Sequence, residues 1–146
     1  VRRALRPTLL IVTALALFSW TAAVSLADGA TEPGARRHGF SVKEYKQFHD
    51  VLHPLEHEAL PKNDFKTIRA KAAELVSLGE AILKLGVPAG TDEKYLGEFK
   101  EGLKRFGEAL SEFKDDAESG TDAELKESYS AVHDSFETLA SMLPRK

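Results

Sequence analysis

The chain contains no cysteine, which excludes both disulfide bonds and thiolate metal sites. It has a single methionine, so any bound metal or haem must take most of its protein ligands from imidazole or carboxylate. Basic residues are not in excess: 20 Lys and Arg stand against 23 Asp and Glu. That balance gives no electrostatic case for nucleic-acid binding. No segment alternates apolar and polar residues with period two, which argues against strands. There is no nucleophile motif of an exported hydrolase, no Gly-rich phosphate loop and no HExxH. The nearest string, His53-Pro54-Leu55-Glu56-His57, has the inverted HxxEH order, and its proline is poorly suited to a regular helical zinc site. The expectation is a protein that binds rather than an enzyme.

Long apolar runs are also scarce. The one present, Leu9 to Trp20, is about a dozen residues long, too short to span a bilayer comfortably. Arg2, Arg3 and Arg6 precede it, and Ser25-Leu26-Ala27 follows as a small-x-small cleavage site. Residues 1–27 therefore read as a secretory signal peptide, which predicts a periplasmic or secreted protein with no stable membrane insertion after cleavage. Val1 in place of Met fits an alternative bacterial start codon or a clipped start. Removing residues 1–27 leaves 17 basic and 23 acidic residues, a net charge of −6. Residues 28–40, rich in Gly, Arg and small side chains and carrying His38, read as a flexible lead-in.

Residues 41–146 carry four amphipathic segments, over about 41–60, 64–85, 92–118 and 122–143. Ser41 and Glu44 have the form of a capping box, and Pro61 closes the first segment. Asn63-Asp64 opens the second, which Gly86 and Pro88 end. Thr91 stands as the cap of the third. Thr121 and Glu124 form a capping box for the fourth, and Pro144 stops it. Short connections favour antiparallel neighbours. The predicted fold is all-α, an antiparallel up-down-up-down four-helix bundle. Pro54 lies inside the first helix and predicts a kink near residues 50–54. Gly79 and Gly102 fall on core faces, which predicts either close helix contact or room for a flat ligand.

What the chain does have is a concentration of histidine: three of its five lie in FHDVLHPLEHEALP, at positions 49, 53 and 57. A helix turns 100° per residue, so a step of four residues drifts by about 40°. Measured from the apolar stripe of Tyr45, Phe48, Leu52, Leu55 and Ala59, His49 lies about 70° from the core direction, His53 about 110° and His57 about 150°. His57 is thus expected at the surface unless Pro54 turns it inward. Glu56 lies about 50° from the core direction, where a carboxylate is costly unless paired or ligating. In the fourth helix, His133 flanks the apolar stripe. At 1.5 Å per residue it lies about 15 Å along the bundle, between His49 at about 12 Å and His53 at about 18 Å. His49, His53, Glu56 and His133 are therefore the candidate ligands, with His57 a further one. Three imidazoles and a carboxylate suit Zn²⁺ or Cu²⁺, for sensing, buffering or delivery.

The segment Tyr129-Ser130-Ala131-Val132-His133-Asp134-Ser135-Phe136 resembles the last helix of the cytochrome c′ and cytochrome b562 superfamily of exported four-helix bundles. The resemblance implies a haem-ligating role for His133. Tyr129 and Val132 stand where cytochrome c′ carries its haem-attaching cysteines, so covalent attachment is excluded. The b562 type uses a methionine in the first helix. None exists here, and Met142, nine residues beyond His133, does not match it. The resemblance then implies a non-covalent b-type haem in electron transfer, with His49 or His53 as the second axial ligand. The HPLEH segment has no counterpart in those cytochromes and looks more like haem-free exported relatives with a histidine-bearing first helix. A ligand-free interaction module, working through its acidic surface, is the third expectation.

Overall fold

The computed structural model describes residues 40–144, so the expected signal peptide over 1–27 and His38 of the lead-in lie outside the described residues. Helix α1 runs Lys43–Pro54, followed without a break by a π-helical turn, Leu55–Ala59, and a 3-10 turn, Leu60–Lys62. Helix α2 is Phe65–Leu85. A 3-10 turn, Glu93–Tyr95, leads into α3, Leu96–Ser119, and α4 is Asp122–Ser141. The described residues contain no strand. No helix among them is long and apolar enough to cross a membrane.

The apolar stripes are what the helices bury. Tyr45, Phe48, Leu52 and Leu55 meet Ile68, Leu75 and Ile82 of α2, Phe99, Phe106 and Phe113 of α3, and Leu125, Tyr129, Val132, Phe136 and Leu139 of α4 in one core. Removing that apolar surface from water drives the fold in a chain with no cross-links. Phe40, expected at the end of the lead-in, instead packs on this core, with its ring 6.0 Å from that of Phe136 and 5.0 Å from that of His49.

The helix ends follow the sequence in part. Thr121 and Glu124 form the full capping box of α4, and Asp64 caps α2 by accepting from the Thr67 N–H at 3.1 Å. Ser41 does not cap α1. Its hydroxyl donates instead to the Pro144 carbonyl at 2.6 Å, tying the residues before α1 to those just past α4, and Val42 takes the cap position. Thr91 does not cap α3 either. It turns back to Pro88 O at 2.8 Å, and Asp92 caps the 3-10 turn that precedes α3. Pro61 sits inside the 3-10 turn, and the reversal is made by Asn63. At φ 53°, Asn63 takes the left-handed conformation and sends its N–H to Leu60 O, while Asp64 N–H reaches back to Ala59 O.

Both glycines on the core faces mark close helix contact. A Cβ at Gly79 would lie 2.6 Å from a methyl of Leu110, and one at Gly102 would lie 2.8 Å from a methyl of Leu139. Neither position leaves room for a flat ligand.

Candidate functional site

The irregularity caused by Pro54 falls after the proline, not before it. Proline lacks the N–H that would bond to the carbonyl four residues back, and its ring crowds that carbonyl. The chain absorbs this by widening: Leu60 N–H bonds five residues back, to Leu55 O, which is the π pattern. The irregularity is a five-residue π turn at 55–59, just beyond the stretch 50–54 where the sequence predicts a kink.

This turn changes the geometry of the histidines. In α-helix a four-residue step overshoots a full revolution by about 40°. A π turn takes more residues per revolution, so the same step no longer overshoots in that way. The His49 and His53 ring centroids are 5.1 Å apart and those of His53 and His57 are 4.3 Å apart. The imidazoles form a continuous row. Exposure along it follows the expected drift, with His49 half-buried and His53 and His57 exposed. His49 also lies against aromatic rings, 5.0 Å from Phe40 and 6.4 Å from Phe136.

The other candidates belong to the face between α1 and α4. Tyr129, buried in α4, donates its phenolic hydrogen to the Leu52 carbonyl of α1 at 3.0 Å. Burial, and secondarily the charge of Glu56, hold the Tyr129 phenol well above its ordinary pKa, so it remains a donor. Glu56 is half-buried near that phenol. Three residues beyond His133, the ring of Phe136 meets Phe48 at 4.8 Å and Tyr45 at 5.8 Å. His133 therefore lies on the stretch of α4 between two residues that both touch α1. It is half-buried, and its Nδ1 is 3.3 Å from the Asp134 carboxylate.

Comparison with known protein families, curated proteins and solved structures finds no match. The site has to be read from its own geometry. Among the described residues, no group of three or more His, Asp or Glu side chains converges on one ion-sized point. The expected cluster of His49, His53, Glu56 and His133 is not assembled. What the structure brings together is the row His49–His53–His57, while Glu56 lies toward Tyr129 and His133 lies beside Asp134. The residues do not fit a haem. Between α1 and α4 the space is occupied by the rings of Tyr45, Phe48 and Phe136, and the core glycines are filled by Leu110 and Leu139.

Two residues escaped the sequence reading. Tyr129 stands at helical spacing from Val132 and Phe136, as an ordinary buried residue would, and only the partner of its hydroxyl shows otherwise. Arg69 of α2 donates to Asp116 O, Ala117 O and Gly120 O at 2.7 to 3.0 Å and to the Asp122 carboxylate at 3.1 Å. It closes the end of α3, whose last turn has no basic residue of its own.

Proposed function

We propose that this chain is an exported binding protein for a divalent zinc or copper ion, acting in buffering, delivery or sensing, with its helices running up-down-up-down. The observation that carries the reading is the row of three imidazoles at 5.1 and 4.3 Å, kept in line past a proline by a π turn. π turns inside helices occur frequently at functional sites. Imidazole suits Zn²⁺ and Cu²⁺ among the common metals. The helix directions are supported by Tyr129 meeting Leu52 while Phe136 meets Phe48 and Tyr45, so that α4 descends as α1 rises.

A structural zinc site closes with four protein ligands. The row offers adjacent pairs that share His53, and leaves the remaining positions to solvent, to Glu56 or His133 after side-chain movement, or to a recipient. A half-open sphere of this kind suits capture and release better than permanent storage. His133 is prepared for ligation, because a carboxylate on Nδ1 favours the tautomer whose lone pair is on Nε2. The Asp and Glu excess of the chain draws cations toward it.

Equilibrium dialysis of the purified chain with Cu²⁺ and Zn²⁺ tests this. One ion per chain is expected, with uptake lost in His53→Ala, which breaks both pairs, and weakened in His133→Ala. The absence of stoichiometric uptake, or uptake unchanged when His53→Ala and His133→Ala are combined, would sink the reading.

A further inference from the structure

The histidine row depends on a turn of unusual width, and one bond from another helix lands at its start. The Leu52 carbonyl lies in the last turn of α1. It accepts from the Leu55 N–H and, at 3.0 Å, from the Tyr129 hydroxyl. The π turn begins three residues on, at Leu55, and runs to Ala59. Tyr129 is fully buried, so its hydroxyl has no water to turn to, and the bond joins positions 77 residues apart in sequence. A polar group buried in a core is costly unless bonded, and here the satisfied hydroxyl and the change of helical pitch coincide.

We propose that Tyr129 is a positioning residue for the metal site: its hydroxyl holds the Leu52 carbonyl, fixes where the helix widens, and thereby sets the His57 ring beside that of His53. The metal arm of this inference rests on the function proposed above; the geometric arm does not. Tyr129 touches no ion. It acts through the backbone of residues 52–60. A second tyrosine provides the control. Tyr45 is equally buried, lies in the same core, and its hydroxyl has no hydrogen-bond partner. Removing one phenolic oxygen from either residue changes the core by the same atom, but only at Tyr129 does it cut a bond to the histidine-bearing segment.

The test compares the full chain with Tyr129→Phe and Tyr45→Phe by NMR and by Cu²⁺ titration. In the wild type, the Tyr129 hydroxyl proton should be visible, protected from solvent, and in through-space contact with the Leu55 amide. Tyr129→Phe should speed amide exchange over residues 55–60, weaken the through-space cross-peaks between the His53 and His57 rings, and lower Cu²⁺ affinity on the order of tenfold, the scale of losing an outer-shell partner. Tyr45→Phe should move none of these. If Tyr129→Phe leaves the ring cross-peaks and the exchange of residues 55–60 as they were, the proposal is overturned. An unprotected wild-type hydroxyl overturns it without any variant. If the wild type takes up no Cu²⁺ but Tyr129→Phe still separates the two rings, the metal function fails and the positioning role stands.

Discussion

Two tyrosines, Tyr45 of α1 and Tyr129 of α4, are fully buried in the same core, and their hydroxyls have different fates. That of Tyr129 donates to Leu52 O, while that of Tyr45 meets no partner in an apolar setting. Burial raises the pKa of Tyr45, so the group stays neutral and its unbonded hydroxyl carries only a desolvation cost. An unsatisfied buried polar group costs about 1–3 kcal/mol. Tyr45→Phe should therefore leave stability unchanged or raise it by about 1 kcal/mol, read as the midpoint of urea unfolding. A loss of more than about 1 kcal/mol would show that the hydroxyl has a bonded partner after all. This distinction is invisible in the sequence, where both residues are apolar-stripe positions at helical spacing. A stripe reports that a side chain is buried, not what its one polar atom meets.

At the scale of the helices, the glycines separate propensity from packing. A Cβ at Gly107 of α3 would meet Leu83 at 3.5 Å, an ordinary contact, so Gly107→Ala should stabilise by up to about 1 kcal/mol through helix propensity. At Gly79 the new carbon would lie 2.6 and 2.9 Å from the two methyls of buried Leu110, and Gly79→Ala should destabilise by about 1–2 kcal/mol despite the same propensity gain. Thermal melts of the two variants should move in opposite directions. The start of α4 gives a pH test. The Glu124 carboxylate accepts from the Thr121 N–H and hydroxyl, each at 2.8 Å, and these bonds, the backbone one first, hold its pKa below the ordinary value. A carboxyl depressed on folding contributes stability above its unfolded pKa and loses it as pH falls through the folded one. The amides of residues 122–125 should thus lose protection relative to their intrinsic exchange rates on acidification below about pH 4.5, and the Glu124 carboxyl should titrate below its value in Thr121→Ala. The capping box was legible because its reciprocal bonds are local. Ser41 shows the limit of such signals: it has the right neighbour in Glu44, yet the long-range acceptor at Pro144 O takes its hydroxyl. The π turn was legible only as a disturbance near Pro54, because whether a helix kinks or widens depends on what holds it from outside, here Tyr129.

For the molecule as a whole, the row of histidines runs along α1 into the π turn, and His133 lies on α4 between Tyr129 and Phe136, both of which touch α1. Helical drift and rise predict the levels of such residues from residue counts, given antiparallel neighbours. They did not reveal that the four expected ligands stay apart, because side-chain direction is set by packing. The question that remains physical is whether an ion draws the two helices together. Any ligand that binds the folded chain and not the unfolded one stabilises it by RT ln(1 + [L]/Kd), about 2.7 kcal/mol at a hundredfold excess over Kd. For a domain of this size, 1 kcal/mol shifts Tm by roughly 4–8 °C. Saturating Zn²⁺ or Cu²⁺ should therefore raise Tm by about 10 °C or more, and a chelator should return it to the starting value. An ion held by the α1 row alone would give the same rise in His133→Ala. An ion that recruits His133 closes a link between the first and last helices, and in that variant most of the rise should vanish while the metal-free Tm stays where it was. Differential scanning calorimetry of both chains, with and without metal, separates the two arrangements, and no metal-dependent rise in either would remove the ion from the account altogether.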